Sequence, residues 1–106
     1  MIFLSWFILL IAAILESGGD TLIRQGLRGG SPLLMAAGAV VLICYGFFVN
    51  LVKWDLPKLL GVYVCFFAVV SVLIGGFLLK ETIPSSTWLG LGFIVAGGLI
   101  IQFGPR

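Results

Sequence analysis

The chain has 106 residues, of which 61% are hydrophobic and 9% are charged, and its formal net charge is +2. This composition is typical of an integral membrane protein and excludes a soluble globular domain. The small and dispersed positive charge gives no reason to expect nucleic acid as a partner. Because little sequence remains outside the apolar segments, we expect no enzymatic activity and no cofactor, and the function is expected to lie within the membrane.

Apolar runs predict an all-α fold with four transmembrane helices, at about residues 2–22, 34–52, 59–79 and 85–103. Each run has roughly 20 residues, which as a helix gives a length of ~30 Å and spans a bilayer. Short breaks rich in glycine, proline and polar residues separate the runs, at 29–32, 55–57 and 83–86. Consecutive helices are therefore expected to run antiparallel within one four-helix domain, residues 1–106, of a multi-pass protein of the cytoplasmic (inner) membrane.

The charges in the connecting segments predict how the chain inserts into the bilayer. The two sides carry three cations each, Lys53, Lys58 and Arg106 on one side and Arg24, Arg28 and Lys80 on the other. Because Lys and Arg in short loops set the orientation, this balance favours neither orientation. We therefore expect insertion both ways and pairing as an antiparallel, dual-topology homodimer, with a heterodimer of two similar chains as the alternative.

Glu16 lies fourteen residues into the first span, among neighbours that are almost wholly apolar. A carboxylate at bilayer depth costs ~2.5 kcal/mol or more, so it needs a proton, a cation or a polar cavity as its partner. Mostly small residues share its side of the helix: Ser5, Leu9, Ala12, Ala13, Gly19 and Asp20. Such a surface has room for a neighbouring helix or for a ligand, but helix packing alone gives no reason for a carboxylate.

Asp20 follows Glu16 by one turn, and two carboxylates at this spacing would repel each other and titrate as a coupled pair. Arg24 follows Asp20 by a further turn, in the favourable order of acid before base. We therefore predict a local Asp20–Arg24 ion pair, which leaves Glu16 to bind a proton or a cation. Because both would occupy one carboxylate, their competition predicts proton-driven export of cations through a dimer that opens to either side in turn.

The segment from Glu16 to Arg24, ESGGDTLIR, resembles the first-helix signature of the small multidrug resistance family of the drug/metabolite transporter superfamily. In that signature the glutamate is followed by Gly at +3, Thr-Leu at +5 and +6 and a basic residue at +8, which correspond to Gly19, Thr21, Leu22 and Arg24. Leu9 and Ala12 stand at positions that face the binding cavity in that family. The resemblance implies an antiparallel dimer that exchanges protons for cationic or amphipathic compounds at Glu16.

The third span contains aromatic residues that are similar to those of this family. Its drug-exporting members flank the cation with a tyrosine and, three residues later, a tryptophan. Tyr63 and Phe66 have this spacing, and an aromatic face can hold a desolvated cation for ~2 kcal/mol. Alternatively, both residues pack in the span, or Tyr63 takes the place of the tryptophan. The family's glycine-rich bend in this helix is replaced by residues 68–71, and Gly75-Gly76 lies one to two turns later.

Two positions near Glu16 differ from the relatives and bear on the substrate. Gly19 stands where the guanidinium-exporting branch has a tryptophan, which argues against guanidinium. Asp20 stands where the family commonly has a small or hydroxyl residue, so it is expected to join the site or alter its charge preference if it does not pair with Arg24.

Gly90 and Gly97 lie two turns apart in the fourth span and share one face of the helix. They are similar to the two glycines through which fourth helices of two subunits touch in the small multidrug resistance family, and we predict that they form the dimer interface. Two other functions stay open. The chain could be a flippase subunit for a lipid carrier or metabolite, or a non-transporting tetraspan subunit whose Glu16 pairs with a partner's Lys or Arg.

Overall fold

The computed structural model describes residues 2–104, and the secondary structure in this range is helical. The elements are α1 (Ile2–Gly29), α2 (Pro32–Val49), α3 (Leu56–Leu73), a π-helix that continues α3 (Ile74–Leu78), and α4 (Ser85–Phe103). Four segments are long and apolar enough to cross a membrane, with mean hydropathies between 1.6 and 2.4. The predicted all-α, multi-pass membrane fold is therefore confirmed. Arg106, counted above among the loop cations, lies outside the described residues.

The first helix is longer than the predicted span, because it continues past residue 22 and ends at Gly29. The apolar run stops at Arg24, but Arg, Gln and Leu are good helix formers, so loss of hydropathy does not end the helix. Arg28 lies in the last turn, where a cation is favourable beside the free carbonyl groups. Gly30 then adopts a φ of 67°, a left-handed conformation that glycine reaches without strain, and the chain turns.

The second helix begins at Pro32, earlier than predicted, because its first turn is capped. The hydroxyl of Ser31 accepts a hydrogen bond from the backbone N–H of Leu34 at 3.3 Å, and proline suits the first helical position. The helix ends at Val49 rather than residue 52. Beyond this end, the side-chain amide of Asn50 donates to the carbonyl oxygen of Gly46 at 2.8 Å, which satisfies a carbonyl of the last turn.

The third span ends in a π-helix that contains Gly75 and Gly76. The backbone N–H of Leu79 donates to the carbonyl oxygen of Ile74 at 3.0 Å, the wider spacing that defines this turn. Lys80 follows with a φ of 55°, and the N–H of Glu81 donates to the carbonyl oxygen of Gly75 at 2.8 Å. The span is therefore regular α-helix only as far as Leu73, and its irregular part coincides with the glycine pair rather than with residues 68–71.

The chain forms two compact units, Met1–Val52 and Lys53–Arg106, each built on an antiparallel pair of helices. In the α1–α2 unit, a Cβ added to Gly38 would lie 2.6 Å from the carbonyl oxygen of Gly19 and 2.9 Å from the backbone nitrogen of Ile23. The two backbones thus approach as closely as glycine allows. In the α3–α4 unit, Gly98 faces the thiol of Cys65. The predicted antiparallel order of consecutive helices holds in both units, and the single four-helix domain stays a prediction.

Candidate functional site

Glu16 lies near the midpoint of α1, and its side chain is half-buried. At 1.5 Å per residue it stands about 21 Å from the first residue of the helix. In a helix that starts at one membrane surface, this distance falls within a hydrocarbon core of ~30 Å. The structure therefore places the carboxylate inside the apolar part of α1, where it is partly covered.

Leu9 and Ala12, which were predicted to share the face of Glu16, are fully buried. They precede the glutamate by two turns and one turn, on the rows that lie along one side of a helix. Ala13, on the adjacent row, is also fully buried. On the N-terminal side of the carboxylate, α1 therefore presents small and aliphatic side chains that are fully buried.

Gly19 is buried, and it faces α2. A Cβ at this position would lie 2.8 Å from the side chain of Leu42 and 3.1 Å from the carbonyl oxygen of Gly38. Two turns later along the same side, Gly26 meets Met35 in the same way, at 2.7 Å. In the α1–α2 unit Gly19 thus has a packing role, and its predicted part in binding a substrate stays a prediction.

Asp20 is exposed, as is Arg24. The predicted Asp20–Arg24 ion pair stays a prediction. Between exposed residues at this spacing, such a pair is worth only about 0.3–0.5 kcal/mol, because water screens the charges and the side chains lose entropy. The two carboxylates of α1 consequently differ in environment: Glu16 is half-buried, whereas Asp20 faces outward.

Ser17 was given no role by the sequence analysis, yet it is the buried polar side chain next to Glu16. Its exposed fraction is 5%, and its hydroxyl has no hydrogen-bond partner within the described part of the chain. The carbonyl oxygen of Ser17 accepts a bond from the hydroxyl of Thr21 at 2.8 Å. Serine is common in membrane helices as a packing residue, so its identity gave no signal, and only the unsatisfied hydroxyl distinguishes it.

The aromatic residues predicted to hold a cation belong to the α3–α4 unit. Tyr63 is buried, and its ring stacks on that of Phe67, with centroids 6.2 Å apart and ring planes 25° apart. Phe66 is half-buried. The two rings lie on neighbouring turns because Tyr63 and Phe67 are four residues apart. The sequence prediction considered only the three-residue spacing and therefore did not include Phe67. The role of Tyr63 and Phe66 at a bound cation stays a prediction.

Gly90 and Gly97 are positioned differently from Gly98, the glycine of α4 that is packed against α3. A Cβ at either position would meet no atom within 4 Å among the described residues. Gly98, one residue further on, is buried against Cys65, whose thiol donates to the carbonyl oxygen of Ile94 at 3.1 Å. Contact between α3 and α4 therefore uses Gly98 and leaves Gly90 and Gly97 on other sides of α4, which is compatible with their predicted use in a dimer.

Near the midpoint of α1, the consecutive residues Glu16 and Ser17 supply one carboxylate and one hydroxyl. A carboxylate can accept a proton or pair with a cation, and a hydroxyl can donate one hydrogen bond and accept others. Among the described residues no three His, Cys, Asp or Glu side chains lie together as a metal-binding group. This pair of side chains suits a proton or a small organic cation.

Comparison with known proteins identifies a family for this chain. No curated protein and no solved structure is significantly similar to the chain. Residues 2–106 match a family described as "Uncharacterised BCR, YnfA/UPF0060 family". The match covers all four spans, including Glu16, Ser17 and the segment that resembles the small multidrug resistance signature. The chain therefore belongs to the YnfA/UPF0060 family.

Proposed function

We propose that this protein is a proton-coupled exporter of small cationic or amphipathic molecules, with Glu16 as the shared binding group for proton and substrate. The observation that carries the proposal is a half-buried carboxylate near the midpoint of a membrane helix, beside buried small residues. Burying a carboxylate at this depth of a membrane costs free energy, and such residues usually belong to an ion or substrate pathway. Membership of a family of small, four-span proteins is compatible with transport.

The mechanism follows from the chemistry of one carboxylate in a low-dielectric environment. Such an environment disfavours the bare anion, so Glu16 is neutralised either by a proton or by a cation. A cation bound from the inner side leaves when a proton reaches Glu16 from the outer side. The proton then leaves toward the inner side, where a further cation takes its place, and the proton gradient drives export.

The functional assembly is proposed to be an antiparallel homodimer in the cytoplasmic (inner) membrane. Balanced loop cations give the chain no preferred orientation, so copies of both orientations are available to pair. Gly90 and Gly97 present a part of α4 that the described residues leave open, and small residues allow close approach of a second helix. Two oppositely oriented copies supply the inward-open and outward-open forms by symmetry.

The test is transport by purified protein in liposomes with an imposed proton gradient. The wild type should move a lipophilic cation against its concentration gradient, and Glu16→Gln should abolish this movement, because an amide neither binds a proton nor pairs with a cation. Asp55→Asn is the matched control. Asp55 is exposed at the start of α3 and makes no capping bond through its side chain, so the same change there should leave transport intact.

The outcomes separate this proposal from its alternatives. Transport that persists in Glu16→Gln would rule out Glu16 as the shared site. A helper subunit would show no transport by itself and would lose its partner on the same substitution. A flippase subunit would need a second, similar chain before any transport is seen.

The dual-topology part of the proposal has a separate test. A reporter fused to the C-terminus should report both orientations in the wild type. Removing one cation, as in Arg28→Gln, should shift the population strongly toward one orientation, because the balance is only three against three. A single orientation that the substitution does not change would refute dual insertion.

A further inference from the structure

The hydroxyl of Ser17 is an unusual feature of α1. The side chain is only 5% exposed, and its oxygen has no hydrogen-bond partner among residues 2–104. A hydroxyl that is buried without a partner is costly, and such a group in a native fold calls for an explanation. Since Ser17 directly follows Glu16, the two Cα atoms are about 3.8 Å apart, and the explanation should involve the same ligand.

Three other polar side chains in or at the ends of the helices form hydrogen bonds within their own segment of the chain. The hydroxyl of Thr21 donates to the carbonyl oxygen of Ser17 at 2.8 Å, and that of Ser71 donates to Ala68 at 2.9 Å. The amide of Asn50 donates to Gly46 at 2.8 Å. Each bonds a carbonyl three or four residues earlier, the usual solution for a polar group in an apolar helix. Ser17 has the same option but does not use it, so its hydroxyl keeps both its donor and its acceptor capacity.

We propose that Ser17 is a specificity-determining residue for substrates that are protonated amines with at least one N–H group. The N–H donates a hydrogen bond to the oxygen of Ser17, while the positive charge of the same nitrogen pairs with the carboxylate of Glu16. The proposal rests on the proposed function, because access to the hydroxyl of Ser17 requires the conformational change of a transport cycle. The hydroxyl is covered in this structure, and the substrate reaches it when this face of α1 opens.

This arrangement distinguishes two kinds of organic cation. A quaternary ammonium can pair with Glu16, but it has no N–H and leaves the hydroxyl of Ser17 unsatisfied. A protonated tertiary amine of nearly the same size and charge satisfies both groups. A site built to bond an N–H rejects the analogue that lacks it, because a buried polar group is then left without a partner.

The test is a binding measurement on purified protein in detergent micelles, with two probes that differ by one methyl group on nitrogen. The probes are benzyldimethylammonium, which has one N–H, and benzyltrimethylammonium, which has none. The wild type should bind the first about tenfold or more tightly than the second, the effect expected of one hydrogen bond to a charged group. Ser17→Ala should bind both probes with similar affinity, close to that of the wild type for the quaternary probe.

Ser71→Ala is the matched control, because it removes a hydroxyl that its own helix already satisfies, and it should keep the wild-type preference. If Ser17→Ala does not fold, Ser17→Cys retains the volume but supplies only a weak acceptor, and it should lose most of the preference. Equal affinities in the wild type, an unchanged preference in the Ser17 variants, or no binding of either probe would overturn the inference. Selective binding by a protein that does not transport would instead support the site and refute the exporter.

Discussion

Both helical pairs of this protein pack closely at glycines, but they differ in whether the atoms facing those glycines can move to admit a side chain. In the α1–α2 unit, Gly38 faces backbone atoms of α1, so nothing can move aside if a side chain is added. In the α3–α4 unit, Gly98 and Gly61 face side-chain atoms of Cys65 and Ile101. Side chains can change rotamer, whereas a packed backbone cannot shift without moving the whole helix.

Burial differs between the two helices of each pair. In the apolar part of α1, 28% of the residues are buried, compared with 11% in α2, and the third span has 28% compared with 6% in α4. The helix that carries Glu16 is thus held firmly, and α4 leaves most of its apolar surface to lipid or to a second copy. A rigid support for the binding carboxylate and an open surface for assembly are compatible with the transporter proposed above.

The largest expected effect on stability comes from Gly38→Ala. The new Cβ would lie 2.6 Å from the carbonyl oxygen of Gly19, which forces α1 and α2 apart. Overpacking of this kind typically costs about 1–3 kcal/mol. The free energy of unfolding, measured by SDS titration with circular dichroism, should fall by this amount.

Gly46→Ala is the control for this prediction, because it makes the same change in the same helix. A Cβ there meets no atom within 4 Å among the described residues. The substitution should be neutral or slightly stabilising, since alanine is the better helix former. Equal effects at Gly38 and Gly46 would contradict the close approach of α1 to α2.

A smaller loss is expected for Gly98→Ala in the α3–α4 unit. The added methyl group displaces the thiol of Cys65, which then loses its hydrogen bond to the carbonyl oxygen of Ile94. Because a side chain rather than a backbone gives way, the cost should be about 1 kcal/mol or less. The neighbouring Gly97→Ala should cost nothing in the monomer. A loss at Gly98 that exceeds the loss at Gly38 would reverse the proposed difference between the units.

The smallest effect is expected for Asp20→Asn, compared with Glu16→Gln on the same helix. Asp20 is exposed and its charge is screened, so its removal should change the transport rate by only about twofold, equivalent to ~0.5 kcal/mol. The measurement is the initial rate of cation uptake into liposomes. Complete loss of transport in Asp20→Asn would show that both carboxylates belong to the site.

Hydropathy predicted the four spans, because burial in lipid requires long apolar helices, and the short turns predicted the antiparallel order of the two helices within each unit. The same signals could not predict that α1 continues to Gly29, since polar residues outside the bilayer extend a helix as well as apolar ones. The π-helix at Ile74–Leu78 also escaped prediction, because a glycine pair permits an irregular turn without requiring one.

At the candidate site, Glu16 could be identified from the sequence because a carboxylate inside the membrane costs free energy. Leu9 and Ala12 could be identified from helical periodicity. The sequence could not show that Asp20 and Arg24 are both exposed, a setting in which an ion pair adds little stability. Ser17 was overlooked for a different reason. Its importance depends on a missing hydrogen bond, which is a property of the folded chain and not of the residue type.

The central claim is that a proton and a cation compete for Glu16, and proton release on binding tests it most directly. A cation should be added to purified protein in weakly buffered detergent solution while the pH is recorded. The wild type should release protons in proportion to the cation that it binds, and Glu16→Gln should release none. Cation binding by the wild type without proton release, or unchanged release by Glu16→Gln, would contradict the account.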